Sequence, residues 1–482
     1  MTMAGPPKNP VIAIVGTTGT GKSNLAVSLA LSLHEKYPNC PFEVINADAM
    51  QMYAGLPIIT NKITAEEQMG VPHHLLGCVG VTDEAWRVSK FVTEARDVMQ
   101  NIWARGGVPI LVGGTFYYLQ SLLFDRSLVG EKAKDGPPED ALKDENNIQA
   151  QKTSELDDMT TPELYARLHE VDPIMAGRWH PNDRRKIRRS LEIWLQTGKK
   201  ASDVYAEQQQ DDQRNDGDTV VDSVGGLAYP SLFFWTHTSR DILKQRLDAR
   251  VDKMYVSGLL DEVSQLYRTL QDVEAEYGKQ PDQTRGIWVS IGFKEFKSYL
   301  ERLAEGCAVE TELREMLEGA LEETKSATRQ YAKAQLKWIR IKLLLALRDA
   351  AATGNLWPLC TDYADNKQRW KGDVVEPAVK LGEAFLTGIS LPKQETELAQ
   401  PLLELLEPKR QYDLGKRRDL WVTKTCDVCQ VTATNDIEWA KHTQGNRHKK
   451  LMKKQRLQAE NEERRAHTEL NTEGRRQPSR QG

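Results

Sequence analysis

The stretch VIAIVGTTGTGKSNLAV, residues 11 to 27, constrains the fold more than any other part of the chain. An apolar run with strand character passes into Gly16-Thr17-Thr18-Gly19-Thr20-Gly21-Lys22-Ser23 and then into a helix-like segment. The glycines allow a tight turn whose successive backbone N–H groups face an anion at a helix N-terminus. Lys22 adds a point charge for a terminal phosphate, and the Ser23 hydroxyl is placed to ligate Mg²⁺. A loop of this kind between strand and helix is a P-loop, and the frame it sits in is a parallel α/β sheet.

The rest of the chain keeps that rhythm. Strand signals at Val11–Val15, Phe42–Ala47, Val108–Val112 and Ser231–Trp235 alternate with helical stretches at Asn24–Tyr37 and Val88–Arg105. Between the third and fourth strands the rhythm breaks. The acidic stretch Glu131–Asp158 and the Gln/Asp-rich stretch Glu207–Asp222 read as solvated loops flanking a helical Thr161–Gly198. The expected fold class is therefore α/β, a P-loop parallel-sheet core with an inserted helical domain and a C-terminal Cys₂His₂ zinc finger. The expected boundaries are a core in two parts, 1–125 and 226–355, with the insertion at 126–225. A linker and helical extension follow at 356–420, a finger at 421–465 and a disordered tail at 466–482.

Charge is divided unevenly. The chain of 482 residues carries a net −4, yet residues 409–482 hold 18 Lys/Arg against 10 Asp/Glu, a balance of +8 that leaves −12 for the remainder. The C-terminal end is built for an acidic partner. The longest apolar run, IRIKLLLALRDAA, is too short and too charged to span a membrane. MTMAGPPKNP lacks the pattern of a secretory signal or a mitochondrial presequence, so the expected location is cytoplasmic, with mitochondrial or nuclear fractions left open. Four scattered cysteines, Cys40, Cys78, Cys307 and Cys360, fit a reducing compartment.

A P-loop usually announces an ATPase, GTPase or kinase, but its companions are missing. The candidate Walker-B strand, VPILVGGTFYY, ends in Gly113-Gly114-Thr115 where a Mg²⁺-directed Asp is expected, and NKIT is not a guanine-recognition motif. Asp48, in EVINADAMQMYAG, falls just past the second strand on the sheet edge that carries the phosphate loop. A carboxylate there would serve as general base or Mg²⁺ ligand; the competing readings are a helix N-cap or a surface Asp.

Eight segments in order, GTTGTGKS, NADAMQMYAGLPIITNKIT, VPHHLL, GGTFYYLQSLLF, HPNDRRKIRRSLEIW, QRLDARVDKMYVSGLLDEV, SIGFKEF and ATRQYAKAQLKWIR, resemble the tRNA dimethylallyltransferase family, from Val11 to about Leu345. The C-terminal extension resembles its eukaryotic branch. The resemblance implies transfer of a dimethylallyl group from dimethylallyl diphosphate to N6 of the adenosine 3′ of the anticodon, and a loop that holds a prenyl diphosphate. It implies Asp48 as the base, Thr115 and Arg250 as its catalytic companions, and Asp48, Ala49, Met50 and Gln51 as the segment that reads the flipped base. Arg246, four residues before Arg250, is either an assistant or a surface ion-pair member.

The RNA would be held by basic surfaces. Lys325, Arg329, Lys333, Lys337 and Arg340 recur at helical intervals, and Arg184, Arg185, Lys186, Arg188 and Arg189 form a denser patch in the insertion. Together they suggest a clamp on the anticodon arm, with plain solvated faces as the alternative. His73 and His74 lack a nearby Cys or spaced carboxylate and are expected to be structural. Cys426-x₂-Cys429-x₁₂-His442-x₅-His448 supplies the four ligands of a closed structural Zn²⁺ site. The wide histidine spacing and the trailing KKLMKKQR resemble matrin or U1-type fingers that bind RNA; duplex DNA or protein docking are the other uses of such a module. A monomer is expected. The rival functions are a nucleoside or nucleotide kinase, with ATP as donor, and a non-catalytic RNA-binding protein whose P-loop is only structural.

Overall fold

The computed structural model describes residues 5–124, 156, 159–211, 226–278, 281–306, 309–363, 366–410, 412, 417 and 420–474. Two compact units are present. One comprises residues 1–128 and 215–411, the other 129–214 and 412–482.

The first unit is built on a six-stranded sheet of order β3-β2-β4-β1-β5-β6. Its strands are β1 Val11–Gly16, β2 Phe42–Asn46, β3 His73–His74, β4 Val108–Val112, β5 Ser231–His237 and β6 Leu356–Cys360, all paired in parallel. The central strands β1 and β4 are buried at every residue, as a parallel sheet covered on both faces requires. Side chains alternate between the faces. Val11, Ala13 and Val15 join the larger core with Leu111 and Trp235, while Ile12 and Ile14 join the other core with Leu25, Leu29 and Leu33 of the helix Lys22–Lys36. Parallel pairing places the C-terminal ends of β1, β2, β4 and β5 on one edge, and with them the phosphate loop, Asp48, Thr115 and His237.

The stretch expected as linker and extension, 356–420, is largely part of this core. Leu356–Cys360 is the edge strand beside β5, and the helix Glu376–Thr387 packs Ala378, Val379 and Leu381 into the core of the loop helix. Pro358 argues against a strand in the sequence. It is accommodated because only one side of an edge strand is paired. The two histidines form the opposite edge. His74 Nε2 meets the Glu43 carboxylate at 2.7 Å, and Arg105 closes on the same carboxylate at 2.7 Å and 3.1 Å. His73 Nδ1 bonds the Val71 carbonyl at 2.8 Å.

The second unit contains the helices Thr161–Val171, Pro173–Arg178, Arg184–Thr197 and Ala201–Asp211 around a core of Leu164, Leu168, Met175, Ile187 and Leu191. The helix Thr161–Val171 starts in a capping box made by Thr160 and Glu163. Trp421, at the start of the finger segment, packs against this same core, and the Arg178 guanidinium lies 4.3 Å from the Trp179 ring centre and 4.4 Å from that of Trp421. The Thr423 hydroxyl donates to the Gly177 carbonyl at 2.7 Å. The finger is thus docked on the inserted helices.

The expected acidic loop at 131–158 lies almost wholly outside the described residues, and of the second loop only 207–211 are described, as the end of a helix. The expected disordered tail begins as helix: Asn446–Gly474 is continuous, since its run of Lys, Arg, Glu, Gln, Leu and Ala favours that state, and 475–482 lie outside the described residues. Among the described residues no helix is long and apolar enough to cross a membrane.

Candidate active site

The phosphate loop is held from three sides. Gly19 and Gly21 adopt φ of 84° and 81°, which Cβ-bearing residues disfavour, and a side chain at Gly21 would also come within 2.9 Å of the Trp370 ring. Thr20 Oγ1 donates to the Thr17 carbonyl at 2.8 Å and pairs with Thr236 Oγ1 of β5 at 2.8 Å. Lys22 Nζ reaches back over the loop to the Thr17 carbonyl at 2.9 Å. Ser23 follows at the start of the helix, half-buried.

Asp48 sits one residue beyond Ala47, past the end of β2, in a turn that its own neighbours fix. Asn46 Oδ1 accepts from the Asp48 N–H at 3.0 Å, and Asn46 Nδ2 donates to the Asp48 carbonyl at 3.0 Å and to Leu75 at 2.9 Å. Asp48 Oδ1 accepts from the Met50 N–H at 3.1 Å. The N-cap reading of Asp48 is thus replaced by a local turn with the second carboxylate oxygen, Oδ2, toward Gly114. Thr115 Oγ1 accepts from the Ala49 N–H at 3.0 Å, tying β4 to the Asp48 turn, and Gln51 Nε2 donates to Asn61 O at 3.2 Å. Gly113 and Gly114 are required by proximity. A Cβ at 113 would lie 2.1 Å from the Ala47 carbonyl, and one at 114 would lie 2.3 Å from Gln335 Nε2.

Arg250 comes in from the helix Arg240–Val256, its Nη2 donating to Thr18 Oγ1 at 2.7 Å. Arg246, the other candidate on this helix, donates to the Thr361 and Asp362 carbonyls at 2.7 Å and 2.8 Å, binding the helix to the end of β6.

The three charges influence one another. Burial pushes the Lys22 ammonium down to about 8, with Asp48 opposing and Arg250 reinforcing the shift. Burial brings the Arg250 guanidinium down to about 10, again opposed by Asp48. Burial raises Asp48 above the ordinary carboxylate value despite Lys22, the Met50 and Gln51 amides and Arg250. A carboxylate of raised basicity, a lysine whose pKa is brought down to about 8 and a half-buried guanidinium form an acid–base and anion-binding cluster at one sheet edge. Thr17 Oγ1 and Arg250 Nε are buried there without a hydrogen-bond partner among the described residues, and both can serve a polar ligand.

Two members escaped the sequence reading. Gln335 Oε1 accepts from the Thr18 N–H at 2.7 Å while its Nε2 donates to the Gly114 carbonyl at 3.1 Å. Tyr331 lies one turn earlier with its hydroxyl near Gln335 and Thr115, and desolvation of that hydroxyl, with Asp48 nearby, raises its pKa while part of the ring stays exposed. The available signal was a line of uncharged polar residues, Thr324, Thr328 and Gln335, in the helix Glu310–Trp338 at spacings that share a buried face.

The basic residues of that helix divide. Lys325 pairs with Asp252 at 2.8 Å and with Glu322 at 2.9 Å, and Arg329 pairs with Asp248. Arg340, in the π-helical turn that follows, reaches toward the Glu404 and Glu407 carbonyls. Lys333 and Lys337 are exposed. In the second unit, Arg184 donates to the Leu156 and Met159 carbonyls and Arg188 to Glu192 at 2.9 Å; Arg185, Lys186 and Arg189 are exposed, Lys186 with a local ion pair to Asp183 at 2.7 Å and Arg189 with one to Glu192 at 3.4 Å.

The finger is a hairpin, β7 Lys424–Thr425 and β8 Thr432–Ala433, followed by the helices Asp436–Gln444 and Asn446–Gly474. His442 and His448 do not share one helix. Their six-residue step would turn them to different faces, and a break at Gly445 returns His448 to the cluster. The ligand atoms of Cys426, Cys429, His442 and His448 all lie within 4.8 Å of one another, with His448 Nδ1 at 3.5 Å and 3.4 Å from the two sulfurs. His442 Nε2 is buried without a partner among the described residues. Such spacing and an orphaned imidazole nitrogen fit a tetrahedral N₂S₂ ion site.

Fold and site together define a parallel α/β protein whose sheet edge brings a glycine-rich loop of phosphate-binding form beside a half-buried carboxylate. A model of the IPP transferase family matches residues 51–342. A tRNA dimethylallyltransferase of Schizosaccharomyces pombe is 38% identical over 382 residues, covering 78% of each chain. That of Saccharomyces cerevisiae is 34% identical over 93% of this chain and 94% of its own, and the human enzyme is 33% identical over 93% and 86%. A solved structure of a eukaryotic dimethylallyltransferase acting on tRNA superposes with a TM-score of 0.69 at 31% identity, covering 95% of this chain and 99% of that one. The chain belongs to the IPP transferase family, the tRNA-modifying prenyltransferases.

Proposed function

We propose that the chain transfers the dimethylallyl group of dimethylallyl diphosphate to N6 of the adenosine 3′-adjacent to the anticodon in tRNA, releasing diphosphate. The observation that carries this reading is the convergence of Asp48, Lys22 and Arg250 beside the phosphate loop, with Gly114-Thr115 where a nucleotide hydrolase needs a metal-binding carboxylate. The new bond joins N6 to the prenyl C1, the C1–O bond to diphosphate breaks, and the amine proton passes to Asp48. Asp48 is suited to this because burial raises its basicity. The loop N–H groups, Lys22 and Arg250 stabilise the charge that grows on the leaving diphosphate.

Thr115 holds the Ala49 amide and so the segment Ala49, Met50 and Gln51 beside the incoming base. Mg²⁺ at Ser23 supplies charge neutralisation of the diphosphate when bound. Zn²⁺ at Cys426, Cys429, His442 and His448 is structural, since four protein ligands leave it no open position. The exposed Lys333, Lys337, Arg185, Lys186 and Arg189 serve as phosphate contacts for the anticodon arm; Lys325, Arg329, Arg184, Arg188 and Arg340 shape the surfaces that present them. We place the enzyme in the cytoplasm as a monomer, where its thiols stay reduced.

The test is incubation of the purified chain with undermodified tRNA, Mg²⁺ and either labelled dimethylallyl diphosphate or labelled ATP. Prenyl label on an anticodon-loop adenosine, lost in Asp48→Ala and reduced about 10²- to 10³-fold in Arg250→Ala, is the expected result. Phosphoryl label, or prenylation that survives Asp48→Ala, overturns the proposal.

A further inference from the structure

Gln335 bridges two separate parts of the site with one planar amide. Its oxygen accepts the Thr18 N–H of the phosphate loop at 2.7 Å and its nitrogen donates to the Gly114 carbonyl at the end of β4 at 3.1 Å. The side chain is 4% exposed, so neither bond is exchanged with solvent. An amide of this length offers an acceptor and a donor at once; a carboxylate lacks the donor, and a thioether has no donor and only a weak acceptor. The reach depends on the partner strand, because a Cβ at Gly114 would come within 2.3 Å of Gln335 Nε2.

Thr18 is thereby fixed at both its polar groups from two different helices. Gln335 takes its amide and Arg250 takes its hydroxyl, at 2.7 Å each. One turn before Gln335, Tyr331 meets both Gln335 and Thr115. The Asp48 turn leans on Thr115 through the Ala49 amide. A single face of the helix Glu310–Trp338 therefore spans the distance between the group that holds the diphosphate and the group that takes the proton.

We infer that Gln335 is a positioning residue for the transfer reaction: its amide sets the register of the phosphate loop against the Gly114–Thr115 edge, and so the placement of the leaving diphosphate relative to Asp48. This rests on the prenyl-transfer reading above. It requires no contact between Gln335 and substrate, since the residue acts through Thr18 and Gly114.

The test uses the full chain and two variants, Gln335→Met and Gln335→Glu. Steady-state turnover is measured with dimethylallyl diphosphate and tRNA, alongside tRNA affinity, thermal melting and direct binding of inorganic pyrophosphate. Gln335→Met is expected to melt as a folded protein and to bind tRNA within about twofold of the parent, while kcat falls about a hundredfold and pyrophosphate binding about tenfold. Gln335→Glu keeps the acceptor for Thr18 and regains a donor only when protonated, so its kcat relative to the parent is expected to climb as pH falls. Lys22, Asp48, Arg250 and Tyr331 face the same site and feel the new carboxylate too, so the ratio to the parent is measured for pyrophosphate binding as well as for kcat, since binding needs no ionised Asp48.

Parental kcat and pyrophosphate binding in Gln335→Met overturn the inference, as does a pH-independent ratio for Gln335→Glu. If Gln335→Met does not fold, the pH ratio of Gln335→Glu decides alone. If the parent transfers no prenyl group, the functional proposal fails, and pyrophosphate binding, which needs no acceptor, still decides whether Gln335 orders the loop.

Discussion

The linkage between Lys22 and Asp48 gives a quantitative prediction about anion binding. Burial leaves the Lys22 ammonium with a pKa of about 8, and that value is held up in part by the Asp48 carboxylate. With that midpoint the lysine is charged in roughly nine molecules of ten at pH 7 and roughly one of ten at pH 9. A lysine gains its charge below its pKa, so anion affinity is full below that point and is lost as pH rises through it. The terminal phosphate of dimethylallyl diphosphate is itself essentially fully ionised above about pH 7, so its charge is constant across the window. Its affinity for the free chain, followed by calorimetry, is therefore expected to fall about tenfold between pH 7 and pH 9.

Arg250, at about 10, stays charged across most of this range and does not supply the transition. Asp48→Asn removes the opposing charge, so the midpoint moves below the parent's, while Lys22→Ala binds weakly at every pH and loses the transition. An affinity that is flat from pH 7 to pH 9 in the parent, or a midpoint that Asp48→Asn leaves in place, would refute the reasoning. Turnover adds a second limb. Asp48 must be ionised to accept a proton, and burial raises its pKa, so kcat is expected to fall on acidification before an ordinary carboxylate would titrate. Asp48→Asn is expected to cost about 10²- to 10⁴-fold in kcat.

Three other outcomes follow from the geometry. Replacing both Lys333 and Lys337 by Ala is expected to reduce the slope of log tRNA affinity against log salt by roughly 1.5, whereas Lys325→Ala and Arg329→Ala lower the melting temperature and leave most of that slope intact; gel-shift titrations over a salt series distinguish them. Cys426→Ala is expected to drop zinc content from about one ion per chain to near none by mass spectrometry, since three remaining ligands bind far more weakly than a closed set. Glu43→Gln is expected to melt below the parent at pH 7. Burial alone would raise the Glu43 pKa, but Arg105 and His74 outweigh it and hold the carboxyl below its ordinary 4.5, so its stabilisation is present above that value and is lost as pH falls through the lower, folded one, where the two proteins' melting temperatures converge.

The phosphate loop, the parallel sheet and the finger were legible because each is local. A strand–GxxxxGK[ST]–helix run, short continuous apolar segments and a Cys-x₂-Cys pair fix short stretches of chain whose conformation their own residues decide. Asp48 and Thr115 could be placed on the functional edge for the same reason, as residues at the ends of recognisable strands. β6 was hidden because its five residues include Pro358, tolerated only where one side of a strand is unpaired, and edge position is a property of the assembled sheet.

The division between Lys325 and Lys333 was equally invisible. Both lie on one helix at basic spacing; Glu322 offers Lys325 a local partner, but the second one, Asp252, is brought by another helix. Gln335 is the clearest case. It lies 317 residues from the loop amide it holds and 221 from the carbonyl to which it donates. By itself the sequence determined which chemical groups the chain carries and where its turns and strands begin. Tertiary structure decided which of those groups are dry, which are paired and which meet, because burial, pKa and hydrogen-bond partnership depend on atoms brought together from distant parts of the chain.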